Sequence, residues 1–475
     1  MKKNRQTITS ILFLSYFLSG ILLVSCNSNS AKGKLILTRV PSFHNLNFVT
    51  GNNWRFPEQA QLVLLENEKS GTEPKVLTPG FWSAAYPDVS YDGKFLLFAG
   101  KLKKDDPWGI WELDLANLKT RAVISAGGNC ADPVYLPGNR LVFTRSADKD
   151  SLRSISPVFT CNIDGTDIRR ITFNPAAYFA LNVLNDGRIL TAAREIFPDT
   201  CRQESIAMRP DGTKADIFYL PGQSSTLCSR QRETNDGRIV FAESLNGSGE
   251  DGSLISVNYS RPLHTMTNLS SGISGNFISV FPAVSGKMYV CYRRSSTESY
   301  GLYEFDRLTR SLGQSLYDNR EYNIVDAVVA DAHTRPRKLP SEVDMHVKTG
   351  LLLCQDINMM NPSETGKSKN KATSIELLGL DRSLGIVKAE QDGSFYLKPL
   401  CDTPFRIQTL DENGKVVGGP CSWIYLRPNE RRGCVGCHED PELSPENRIP
   451  FSVKKNPVIV PVHINKVKEK KVDLE

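Results

Sequence analysis

Residues 434–438 read Cys-Val-Gly-Cys-His. Two thiols with two residues between them, followed at once by a histidine, suit covalent attachment of haem. Each thiol adds to a porphyrin vinyl group, and the histidine falls beneath the iron. Val435 and Gly436 are small enough to let the backbone approach a macrocycle. The same residues also permit a disulfide or a zinc site. Zinc wants further Cys or His nearby, and the sequence holds no second Cys-x-x-Cys. The motif therefore assigns one covalent c-type haem to Cys434 and Cys437. It assigns His438 to the metal, as axial iron ligand or as ligand to an alternative metal such as zinc.

That chemistry requires the right compartment. Lys2, Lys3 and Arg5 precede an apolar run from Ile8 to Val24, and "LVSC" closes it at Cys26. This is the layout of an export signal over residues 1–25. The ending resembles a bacterial lipobox, which makes Cys26 the expected lipidation site, with residues 26–32 a short tether. The expected location is the cell envelope, lipid-anchored, facing the periplasm or on the outer membrane. Past Cys26 no apolar run approaches the roughly 20 residues that span a bilayer. Loss of Lys2, Lys3 and Arg5 takes the net charge from +6 to +3. The basic tail "NKVKEKKVDLE" is interleaved with acids, so no nucleic-acid partner is expected. The expected partners are the membrane, through the N-terminal lipid, and a redox or envelope protein.

The elements that must position the motif are β-strands. Six segments place a glycine turn before an apolar β-rich run: "GKLILTR" at 33, "GKFLLFAG" at 93, "GNRLVFTR" at 138, "GRILTAAR" at 187, "GRIVFAES" at 237 and "GKMYVCYR" at 286. From the second onward the glycines step by 45, 49, 50 and 49 residues. A constant period with several short strands per unit is the mark of propeller blades, whereas paired sandwiches require no period. The repeats also resemble those of TolB-like propellers. The expectation is a six-bladed propeller over 33–326, with the last strand closing on the first. The turns suit hairpins, because glycine accepts positive φ and aspartate tolerates it.

"DAHTRPRKLPSEVD" marks a Pro-rich linker, set at 327–345. A second β domain is expected over 346–450, sandwich-like and ending on the motif, with a basic tail over 451–475. The fold class is thus all-β, a propeller followed by a small β-sandwich-like domain. No Gly-x-Ser-x-Gly elbow occurs, which disfavours a hydrolase. His44, His264 and His333 read as surface residues. His346, His463 and the pair Met359 and Met360 are candidates for the distal haem face. Eight cysteines remain besides Cys26 and the motif pair, and the bridges considered are Cys401 with Cys421 and Cys201 with Cys228. Cys354 is a candidate second metal ligand near His438.

Residues 390–440 carry "DGSF", "P-x-x-x-Q-x-L-D", "SWIY-x-R-P-x-E" and "GCxGCHE" in that order, after a propeller and a Pro-rich linker. This run resembles the middle domain of the hydrazine synthase alpha subunit family and related exported bacterial proteins. The resemblance implies haem at Cys434 and Cys437 and places His438 in the metal site. In that family a tyrosine shortly after the motif binds iron and the motif histidine turns to zinc. Here "EDPELSPENR" holds no tyrosine, and Glu442 stands at that place. His438 is then the plain axial ligand, with Tyr425 and Tyr396 the tyrosines to examine next. The sequence has a single Cys-x-x-Cys-His, and hydrazine formation is not implied. The expected function is redox or electron transfer by an exported monohaem lipoprotein whose propeller is a binding surface. The alternative is a non-catalytic propeller scaffold in the envelope.

Overall fold

The computed structural model describes residues 31–44, 46, 55–66, 73–146, 154–198, 202–245, 251–283, 285–359, 371–436, 442 and 447–462. Cys26, Cys201, Met360, Cys437, His438 and His463 lie outside these residues.

Six antiparallel sheets succeed one another along the chain and form the blades. Blades two to six open on the inner strands Ser83–Val89, Asn129–Leu136, Ala176–Val183, the split pair Thr226–Leu227 and Arg232–Glu233, and Asn276–Pro282. The repeated turn-and-strand segments are the second strands of the blades. In blade one that strand, Leu35–Pro41, pairs with Gln61–Leu65 on one side and with Tyr322–Val329 on the other. The ring therefore closes through Leu35↔Val329 and Pro41↔Tyr322, as the period requires. The inner strand runs to Val329, three residues past the boundary read from sequence.

The repeated glycines take φ between +73 and +91, the left-handed region that hairpin turns demand. Three of them have a second task. A Cβ on Gly187 would stand 2.1 Å from Arg337 O, one on Gly93 2.7 Å from Ala332 N, and one on Gly138 3.0 Å from Lys338 Cε. The Pro-rich linker lies directly on these turns. Its backbone donates from His333 to Tyr91 O at 3.1 Å and from Arg337 to Asn185 O at 3.0 Å. The linker is thus a strap across blades two, three and four.

Apolar residues of neighbouring blades meet in clusters, such as Ile36 and Leu62 with Leu96 and Phe98, or Val240 with Phe277 and Phe305. Each such side chain contributes about 1.5–3 kcal/mol when buried. The inner strands break register at Ala85/Asp88, Ala131/Val134 and Phe179/Asn182. At these bulges Tyr86, Asp132 and Ala180 adopt positive φ and line an axial cavity of about 60 Å³ together with Arg230 and Asp326.

The second domain packs two four-stranded sheets face to face. One has the order Arg431–Gly436, Leu351–Asp356, Phe395–Pro399, Val458–Val460, and the other Ser383–Lys388, Ser374–Leu378, Arg406–Leu410, Val416–Gly418. Strict alternation in Ser374–Leu378 places Ile375 and Leu377 in the core with Leu352, Phe395, Leu397 and Phe405. Residues 451–462, read from sequence as tail, belong to this sandwich: Val458–Val460 adds a parallel strand beside Phe395–Pro399. Three residues carry no readable period, and their partner lies some sixty positions away. Among the described residues no helix is long and apolar enough to cross a membrane.

Candidate cofactor attachment site

Cys434 sits on Arg431–Gly436, the edge strand of its sheet, in parallel register with Leu351–Asp356. It is partly buried. A Cβ on Gly433 would meet nothing within 4 Å, so the strand opens to free space there, whereas Gly436 packs against Met359 O. Gly433 faces the opposite side from Cys434, whose partly buried thiol lies at the margin of the sandwich core.

A buried ionic knot fixes the strand. Arg432 donates to Glu430 Oε1 at 2.7 and 3.1 Å and to Ala215 O of blade four at 3.3 Å. Glu430 in turn accepts from Lys214 N at 2.8 Å and from Arg427 N at 2.7 Å. Burial works against the Arg432 charge, but Asp216 and Glu430 outweigh it and hold its pKa above the ordinary value. Beyond the motif Glu442 accepts from Leu263 N at 2.7 Å and lies 3.4 Å from Arg261 Nε and 3.9 Å from His264 Nε2, in blade five. Gly436 at the sandwich edge and Glu442 on the propeller thus flank residues 437–441, which lie outside the described residues.

The segment "SWIYLRPNE" clamps the sandwich to blade four. Ser422 Oγ donates to Glu204 at 3.2 Å, and Trp423 Nε1 donates to Phe197 O at 2.5 Å. Arg427 Nε donates to Asp211 O at 3.0 Å, and its guanidinium stacks 4.8 Å from the Phe173 ring. The Tyr425 hydroxyl lies 3.1 Å from Ile171 O and 3.0 Å from Gly212 O. Burial, then Tyr178, pushes the Tyr425 phenol well above its usual pKa. Tyr425 is thus a neutral docking residue, which removes it from the set of tyrosines that could bind iron. Tyr396 aligns with Leu353, and Leu353 with Gly433, one residue out of step with Cys434, so Tyr396 faces the opposite side of the sheet.

Glu204 is the most displaced acid at this interface. Burial, then the charge of Glu195, raises its pKa to about 7. Neither glutamate was singled out from sequence. The available signal was an acidic residue inside each of two apolar strands, "ILTAARE" and "QESIAM".

Of the two bridges considered from sequence, the one from Cys201 to Cys228 lies outside the described residues at Cys201, and the other is not formed. Cys401 and Cys421 are both free thiols, and Cys421 Sγ instead accepts from Ile407 N at 3.2 Å. Burial pushes that thiol up to about 11. Cys228 is a buried thiol directed at Thr226 O, 3.3 Å away. His346 is exposed on a turn. His333 edges the Tyr91 ring at 5.3 Å and lines an axial funnel of about 660 Å³. Among the described residues no three His, Cys, Asp or Glu side chains converge as a metal site.

Comparison with known proteins bears out the resemblance read from the motifs. Residues 351–439 match the family described as hydrazine synthase alpha subunit middle domain. The chain is 23% identical to hydrazine synthase subunit alpha of Kuenenia stuttgartiensis over 512 residues, covering 80% of this chain and 63% of that protein. It thus spans less than two thirds of the curated relative's length. The solved Kuenenia stuttgartiensis hydrazine synthase superposes with a TM-score of 0.76 at 20% identity, covering 89% of this chain and 71% of that one. TolB from Acinetobacter baumannii matches at a TM-score of 0.41 and 14% identity, over 62% of this chain and 66% of its own.

Proposed function

We propose that this relative of the hydrazine synthase alpha subunit is an exported, lipid-anchored protein that carries one c-type haem and serves a redox role in the cell envelope. The observation that carries the reading is the Cys-x-x-Cys-His of 434–438, whose first thiol stands on the edge strand of its sheet at the junction of sandwich and propeller. Cys434 and Cys437 would hold the haem and His438 would bind its iron. When bound, that haem supplies a one-electron couple. The chain's own part is to hold the attachment point still. Arg432 and Glu430 lock the strand to blade four, and Glu442 pins the far end of the motif segment to blade five. The export signal places the protein where thioether formation occurs, and Cys26 would carry the lipid. An electron-transfer role requires a redox partner among envelope proteins, for which the propeller offers the docking surface. A second metal such as zinc at His438 is the competing ligation.

The test is a pyridine haemochrome spectrum of the protein purified from a host with cytochrome c maturation. A c-type spectrum with one haem per chain supports the reading. A colourless protein overturns it in favour of a scaffold. Replacing His438 by Ala should keep covalent haem and change the iron spin state. An unchanged spectrum would move the iron to another ligand.

A further inference from the structure

We propose that Cys354 and Cys434 form a reversible disulfide that withholds Cys434 from haem attachment. The two residues are direct partners in the parallel ladder, Cys354↔Cys434. Paired strands run about 4.8 Å apart, within the 4.4–6.8 Å that Cα atoms span in disulfides. Residues in one cross-strand row share a face, so both sulfurs point the same way. Phe395 continues the row on the far side of Cys354. Both cysteines belong to the sandwich core cluster, Cys354 fully buried and Cys434 at its margin. Arg431–Gly436 ends its sheet among the described residues.

The reaction balances simply. Each thiol gives up a proton, one S–S bond forms, and two electrons pass to an oxidant of the dithiol–disulfide exchange class, whose own disulfide is reduced to two thiols. A thiol reductant reverses it. The pairing stands on register and burial alone. Its consequence for attachment rests on the haem reading above, because the thioether at position 434 needs a free thiol.

The experiment separates the two. Protein made without haem maturation is incubated with oxidised glutathione, alkylated, and digested with trypsin without reduction. The pairing yields a cross-link between peptides 349–367 and 433–448, lost on reduction. The same cross-link must persist in Cys437→Ser, which removes the competing bond within the motif. Alkylated Cys354, with the disulfide confined to Cys434 and Cys437, overturns the proposal. For the consequence, Cys354→Ala and wild type are matured side by side under oxidising conditions. Several-fold more covalent haem in the variant is expected, and equal loading overturns the withholding role. A cross-link in a protein that stays colourless even when matured under reducing conditions refutes the haem reading and the withholding role together, leaving the disulfide itself established.

Discussion

Glu204→Gln should stabilise the protein, and by an amount that grows with pH. In the fold the carboxyl titrates near 7, raised by burial and then by Glu195, against an ordinary value of 4.5. The folded state therefore holds a proton more tightly than the unfolded chain does. Below about pH 4.5 both states are protonated and the group is neutral to stability. Between 4.5 and 7 unfolding releases the proton, and stability falls as pH rises. Above 7 the full penalty applies, on the order of 3 kcal/mol at 1.36 kcal/mol per unit. Glutamine removes the titration while keeping an acceptor for Ser422 Oγ. The advantage of the variant should widen by about 2 kcal/mol between pH 5.5 and 8, as the linkage relation gives for these two pKa values. Urea unfolding at both pH values, followed by tryptophan fluorescence, reads this directly, since Trp423 lies beside the site. Arg202 and Arg406 also face Glu204 and favour its charged form. If they dominate, the two proteins show parallel pH curves or the wild type gains on the variant as pH rises. Either result refutes the assignment of burial as the ruling influence.

Tyr425→Phe leaves the carbonyls of Ile171 and Gly212 without their shared donor in a buried interface, and should cost about 1–3 kcal/mol in thermal or urea unfolding. Gly187→Ala and Gly237→Ala form a matched pair, because both glycines have positive φ but a Cβ meets Arg337 O only at Gly187. Both should lose about 1–2 kcal/mol for the left-handed backbone, and Gly187→Ala should additionally speed tryptic cleavage of the strap after Arg337 and Lys338. Equal protease sensitivity would show that the strap does not depend on that close approach. Cys26→Ser should accumulate an unlipidated, full-length precursor, visible by intact mass and by detergent partitioning.

The blades were legible because each repeats the same local physics, a left-handed glycine and then an apolar strand. The sandwich strands were legible where alternation was clean, as at Ile375 and Leu377. The clamp was not. Trp423, Tyr425 and Arg427 look like ordinary core and surface residues along the chain, and their partners lie more than two hundred positions away in blades three and four. Nor does the spacing of Cys401 and Cys421 reveal that the second sulfur is already committed to Ile407 N. The attachment motif was readable as chemistry, but its edge-strand setting and its two anchors, Glu430 and Glu442, arise only when distant segments meet.

Closure of the ring sets an order in time. Leu35 pairs with Val329, 294 residues further along. A chain emerging from a ribosome or a translocation pore N-terminus first exposes "LILTRVP" as an incomplete sheet long before its inner partner arrives. For that interval the strand is a template for pairing with other chains. The remaining blades can mature as they appear, but the first cannot, and contacts of such separation form slowly. Holding the nascent chain extended until residue 329 has passed would protect it, so the protein should depend on holdase chaperones more strongly than its stable, repetitive body suggests.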